Sequence, residues 1–265
     1  VLQEEFFTDG VRLEVDPEAL VAVVTLDRPP VNALDRHGSA TLRETFESLG
    51  DRKDVNCAII TAVGRVFCGG IDLRSAGPED PSPMERVLPG SGWKKAIDAI
   101  YDCAVPVICA IDGIAVGAGI GFPWAADIIV ASDQARFRLN EANIGVLGGT
   151  AALTRMVGIF KARSMFFTCD DVSAEEFYRL GAIEQVVTPD ELMPAALAIA
   201  ARITPKSGLV LRLGKASINR MERSLVDWDT AYMLEHSLAA EQTIEDGREA
   251  MTAWREKRQP AWKWR

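Results

Sequence analysis

Residues 113–124 read GIAVGAGIGFPW, with glycine at 113, 117, 119 and 121, directly after the apolar run VPVICAI of residues 105–111. Glycine weakens helices and strands alike, so packing alone does not ask for this spacing. The pattern implies backbone brought close to something else. A second glycine turn, GRVFCGGIDL at 64–73, also follows a strand-like run. Both turns put small residues where a backbone N–H can point at a ligand oxygen. Two such donors converging on one point make an oxyanion hole, which stabilises an enolate or a tetrahedral anion without any acidic or basic side chain. A helix opening just after Ala118 would add the positive end of its dipole.

A dinucleotide fingerprint is the rival reading, because the glycines follow a strand and Asp133 ends the next one, close to where a ribose-binding acid would sit. The pattern does not fit. From Gly117 it runs GAGIGF in mid-chain, with no third glycine at the required place. Neither a Walker lysine nor a GxSxG nucleophile turn occurs in the chain.

The whole chain sets wider limits. Its 265 residues can bury a sizeable core, and 48% hydrophobic with 25% charged residues describes an ordinary soluble protein. No apolar run reaches membrane-spanning length and VLQEEFFTDG at 1–10 has no signal-peptide pattern, so the expected location is cytoplasmic, with no membrane partner. A net charge of −9 counts against nucleic acid, and any anionic ligand must be met by local cations. Five cysteines at 57, 68, 103, 109 and 169 form no CxxC pair, and His37 and His236 sit in separate predicted helices, so no metal site is expected.

Secondary structure follows from pattern. VRLEV (11–15), LVAVVTL (20–26), NCAIITAV (56–63), VPVICAI and ADIIVAS (126–132) read as strands, several of them apolar enough to be buried on both faces. A helix is predicted from Asp35 to Gly50, and another near Trp93 after the Pro- and Gly-rich stretch 74–92. SAEEFYRLG opens with Ser173 three residues before Glu176, a capping box, and closes at Gly181. Later helices are expected over 190–203, 206–220, 225–242 and 245–257. This is an α/β core, taken as residues 1–200, with a helical region at 201–265.

Six segments carry a resemblance: LDRPPVNAL (26–34), FCGGIDL (67–73), IDGIAVGAGIGFPWAADIIVAS (111–132), FRLNEANIGV (137–146), GGTAALTRMVG (148–158) and EDGREAMTAWREKRQPAWK (245–263). In this order they resemble the crotonase superfamily, the enoyl-CoA hydratase/isomerase family. The resemblance implies a crotonase-like fold of repeated ββα units closed by a helical C-terminal region, assembled as a homotrimer or a dimer of trimers. It implies an acyl-CoA thioester as substrate and no cofactor beyond the coenzyme A that the substrate carries. By position, the oxyanion donors would be the backbone N–H groups of Ile71 and Ala118. In the CoA site the backbone around Asp72 and Leu73 would line the adenine pocket, and Arg28, Arg74 and Lys257 or Lys263 would meet the phosphates. Trp254, Trp262 and Trp264 would lie near a subunit boundary.

Hydratases of this family use two glutamates, one to activate water and one to move the carbon proton. At the first position this chain has Gly121; at the second it has Glu141. A glycine at 121 would leave room for acyl substituents, and a carboxylate beside an apolar pocket should have a raised pKa. The turn GVLGGTAAL (145–153) has no Asp or Glu, which disfavours aspartate-attacking dehalogenases, and Asp127 matches a structural position. A lone Glu141 suits moving a double bond from the β,γ to the α,β position, because one base can remove the proton and return it. Hydration, lyase and decarboxylase chemistry through the same enolate are the alternatives, and a crotonase fold kept only for binding is the reading from another class.

Overall fold

The computed structural model describes residues 1–72, 92–145, 147–225, 249, 252–258 and 261. Strands β1 (Gln3–Thr8), β2 (Val11–Asp16) and β3 (Val21–Leu26) form an antiparallel meander, and helix α1 (Arg36–Ser48) follows. The chain then repeats one pattern, a long strand, a three-residue strand and a helix. The units are β4 (Cys57–Ala62), β5 (Val66–Cys68) and α2 (Gly92–Tyr101); β6 (Val107–Ile111), β7 (Ile114–Val116) and α3 (Gly121–Ala125); and β8 (Ile128–Ser132), β9 (Arg136–Arg138) and α4 (Thr150–Thr168). Then come β10 (Val172–Ser173), α5 (Ala174–Arg179), β11 (Gln185–Val187), α6 (Leu192–Ile203) and α7 (Gly208–Leu225).

The long strands build one seven-stranded sheet, ordered β1-β2-β3-β4-β6-β8-β11 and parallel from β3 onward. The short strands build a second sheet, ordered β10-β9-β7-β5, in which β5, β7 and β9 are parallel. Every residue of β3 and β6 is buried, which explains their unbroken apolar runs. On one face of the large sheet, Val21, Val23, Ile59 and Ile108 pack against Leu192, Ala196 and Ile199 of α6. On the other, Val24, Leu26, Ile60 and Ile111 join Leu42 and Phe46 of α1 and Phe67, Ala115 and Phe137 of the small sheet. The small sheet is thereby fixed over the main core.

Local signals account for the helix ends. Asp35 caps α1, its Oδ1 accepting from the His37 and Gly38 N–H groups at 2.9 Å each. Ser173 caps α5 by accepting from the Glu176 N–H at 3.3 Å. The capping box is only half made, because the Glu176 carboxylate turns to Arg179 at 2.7 Å and Lys161 at 3.4 Å. Asp127 is structural: its Oδ2 accepts from the Val107 N–H and from Lys215 Nζ, both at 2.7 Å, so it ties α7 to the start of β6. The helix expected over 225–242 lies almost wholly outside the described residues, whereas 252–256 are helical. Among the described residues no helix is long and apolar enough to cross a membrane.

Candidate active site

The three short parallel strands end side by side. Cys68 of β5 pairs with Ala115 of β7, and Val116 of β7 pairs with Arg138 of β9. Just beyond those carboxyl ends come Gly69–Ile71, Gly117–Ala118 and Leu139–Glu141. Successive units of the fold thus bring Ile71, Ala118 and Glu141 to one edge of one sheet. The crevice outside the carboxyl ends of parallel strands is where open α/β sheets bind ligands.

The first turn is held by a short parallel bridge between Leu34 and Ile71. The Leu34 N–H donates to Gly70 O at 3.1 Å, and the Asp72 N–H donates to Leu34 O at 2.9 Å. In such a bridge the intervening residue points its own N–H away from the partner, so Ile71 presents its donor on the far side. Gly70 lies against the second turn, where a Cβ would stand 3.0 Å from Val116 O and 3.5 Å from the Ala118 nitrogen. Ala118 sits in the first turn of a 3-10 segment, Gly117–Ile120, where backbone N–H groups have no partner within the helix. The helix expected after Ala118 is one 3-10 turn running into the five residues of α3.

Close approach explains the four glycines. A Cβ at Gly113 would fall 2.1 Å from Arg65 O, and one at Gly119 would fall on Cys68 O, so the two glycine turns pack backbone to backbone. At Gly117, φ is +56°, and the nearest atom to an added Cβ is Glu141 Oε1 at 2.7 Å. Glu141 opens a 3-10 turn, Glu141–Ile144, and is 9% exposed. Its carboxylate therefore lies against the backbone that carries Ala118. Gly121 corrects an expectation: its missing side chain does not leave acyl space, because Ile97 Cδ1 of α2 occupies the position 2.4 Å from an added Cβ.

The enoyl-CoA hydratase/isomerase profile matches residues 16–265. The chain belongs to that family. It is 37% identical over 221 residues to the (7aS)-7a-methyl-1,5-dioxo-2,3,5,6,7,7a-hexahydro-1H-indene-carboxyl-CoA hydrolase of Rhodococcus jostii, covering 83% of this chain and 84% of that one. It is 34% identical over 252 residues to the short-chain-enoyl-CoA hydratase of Clostridium acetobutylicum, covering 92% and 94%. Among solved structures, an enoyl-CoA hydratase/isomerase from Pseudoalteromonas atlantica superposes with a TM-score of 0.82 at 26% identity, covering 96% of this chain and 99% of that one. The ββα repeat described above is the crotonase fold.

The remaining positions in this enoyl-CoA hydratase/isomerase family protein divide clearly. Arg28 donates through Nη1 to Asp72 Oδ2 and through Nη2 to Asp35 Oδ2, both at 2.9 Å, and also to the Ala33 carbonyl. Leu73, Arg74, Lys263, Trp262 and Trp264 lie outside the described residues; Lys257 and Trp254 are exposed. Cys68, beside the first turn, is buried, and burial pushes its thiol up to about 12. Two residues of the site escaped the sequence reading. Ile97 fills the space at Gly121, and Asn32 donates from Nδ2 to Val63 O and Val66 O at 2.8 Å each, holding the entry to the first turn. A buried asparagine within the apolar stretch PPVNAL was the signal for the second; nothing local signals the first.

Proposed function

We propose that the protein makes and consumes the enolate of an acyl-CoA thioester. The backbone N–H groups of Ile71 and Ala118 hold the thioester oxygen, and Glu141 is the proton carrier. The supporting observation is the shared edge: three neighbouring parallel strands end at these residues, with the Glu141 carboxylate against Gly117. Enolate charge that develops on the oxygen is met by fixed dipoles, which cost no reorganisation during reaction. Glu141 takes the α-region proton and can return it elsewhere on the acyl chain. With glycine at 121 and Ile97 behind it, that position supplies no second carboxylate.

One carboxylate favours moving a double bond from β,γ to α,β over adding water across it. Beyond the coenzyme A of the substrate, this chemistry asks for no cofactor or metal. A second reading is hydrolysis, favoured by the 37% identity to a hydrolase of a bicyclic dioxo-carboxyl-CoA. There Glu141 would activate water for attack on a carbonyl, and the same two N–H groups would hold the tetrahedral oxyanion.

Incubation with a β,γ-enoyl-CoA in deuterated water tests the first reading, with deuterium scored at the carbon that Glu141 protonates. Glu141→Gln should lower turnover by roughly 10²–10⁴ and leave thioester affinity near wild type. Efficient hydration of crotonyl-CoA by the wild-type protein would overturn the isomerase reading. Water incorporated into a cyclic dione thioester, without double-bond movement, would select hydrolysis.

A further inference from the structure

The family resemblance would set Arg28 toward the CoA phosphates and the backbone at Asp72 along the adenine pocket, but the two side chains pair with each other inside the fold. We propose that they are positioning residues: the Arg28–Asp72 ion pair fixes the direction of the Ile71 N–H. The inference rests on the oxyanion reading above.

The peptide unit that carries the Ile71 N–H also contains the Gly70 carbonyl. That carbonyl accepts from the Leu34 N–H at 3.1 Å, which sets the plane of the unit from one side. The following unit is set by the Asp72 N–H donating to Leu34 O at 2.9 Å. Asp72 is therefore the residue through which the chain leaves the bridge. Its side chain is 6% exposed, and its Oδ2 receives Arg28 Nη1 at 2.9 Å. Arg28 is in turn anchored to the start of α1, because Nη2 donates to Asp35 Oδ2 while Asp35 Oδ1 caps the helix. A rigid helix end, a guanidinium fork and a buried carboxylate thus form one line ending beside Ile71.

The same segment braces the turn elsewhere. The Gly69 N–H donates to Val31 O at 2.8 Å, and Cys68 Sγ lies 3.2 Å from Asn32 O. Upstream, Gly10 makes room for Arg28, since a Cβ there would fall 2.5 Å from Arg28 Cβ. These contacts hold the approach to Ile71; the contacts of Asp72 hold the exit. Arginine suits this place because its planar fork reaches two carboxylates at once, which a lysine ammonium on a flexible stem does not reproduce. The guanidinium of Arg28 is accordingly engaged within the fold rather than reserved for a phosphate.

The test compares two substrates: a CoA thioester that the wild-type enzyme turns over, and the N-acetylcysteamine thioester of the same acyl group, which lacks the phosphates and the adenosine. Arg28→Gln and Asp72→Asn should each lower kcat by about 10² on both substrates, with KM within about twofold, as expected for a misplaced donor. Arg28→Lys keeps the charge that a phosphate needs but not the fork, and should resemble Arg28→Gln. Each variant is checked for a native circular dichroism spectrum, and Asp72→Asn, which preserves shape, covers the case in which an Arg28 variant does not fold. A rise in KM confined to the CoA thioester, with rescue by lysine and a silent Asp72→Asn, would overturn the proposal. Glu141→Gln, measured alongside, separates the two levels. If it keeps full turnover, the site reading fails; if it loses turnover while the Arg28 and Asp72 variants keep theirs, only this inference fails.

Discussion

At Gly117 the backbone turns with φ +56°, and the Glu141 carboxylate lies where a side chain would begin. Two costs follow for any other residue. A left-handed conformation costs an L-residue about 1–2 kcal/mol, and a Cβ would meet Glu141 Oε1 at 2.7 Å. Gly117→Ala is therefore expected to lower stability by about that amount and, on the proposed role of Glu141, to lower kcat by roughly 10², because the carboxylate must move. Thermal melting and steady-state kinetics read the two effects separately, and unchanged kcat in a folded variant would contradict the placement of Glu141. Glu141 was named from the sequence because the segment FRLNEANIGV places it by resemblance. Its neighbour could not: the glycine spacing announces a close approach without naming what approaches. Arg28 was harder still, since its carboxylate partners lie 7 and 44 residues along the chain. An ion pair of that span leaves no local pattern.

The long strands of the large sheet were readable because burial on both faces forces continuous apolar runs, as in β3 and β6. The strands that carry the site were not. β5, β7 and β9 have three residues each, too few to show any alternation, and two of them lie inside the glycine motifs. The glycine turns were visible as turns, while the sheet that aligns them was not. Helix packing escaped for the same reason. Gly121 of α3 and Ile97 of α2 meet at a distance where one methyl group decides the fit, and the sequence around Gly121 suggested open space instead. Gly121→Ala should therefore cost about 0.5–1.5 kcal/mol, by turning the Ile97 side chain off its rotamer. Ile97→Val removes the Cδ1 atom that an alanine Cβ would strike, so the double variant should be more stable than the sum of the two single changes predicts. Urea denaturation of all four proteins measures that coupling. Strict additivity would show that α2 and α3 do not contact each other here in solution. The same geometry bears on chemistry: Gly121→Glu must displace Ile97 before it could supply a second carboxylate.

At the scale of the whole molecule, exposed apolar side chains remain to be explained. Phe160 and Phe167 on α4 are 81% and 75% exposed, and Leu209, Val210, Leu213, Ile218 and Met221 project from α7. Covering such side chains removes apolar area from water, which favours association. The chain carries a net charge of −9, so copies repel one another at long range, and association must draw on apolar burial at short range. Closed rotational symmetry is the usual way for identical chains to bury such faces without forming open fibres. The family resemblance implies a homotrimer or a dimer of trimers, and we propose that further copies of the chain cover these faces. Light scattering at micromolar concentration should give three or six times the 28.9 kDa chain mass. Replacing both Phe160 and Phe167 by glutamate should shift that mass downward while leaving the far-ultraviolet circular dichroism of the chain intact, because neither side chain belongs to the buried core. A wild-type species of 28.9 kDa at that concentration would overturn the assembly. A double variant with the full assembled mass would move the contact surface from α4 to α7.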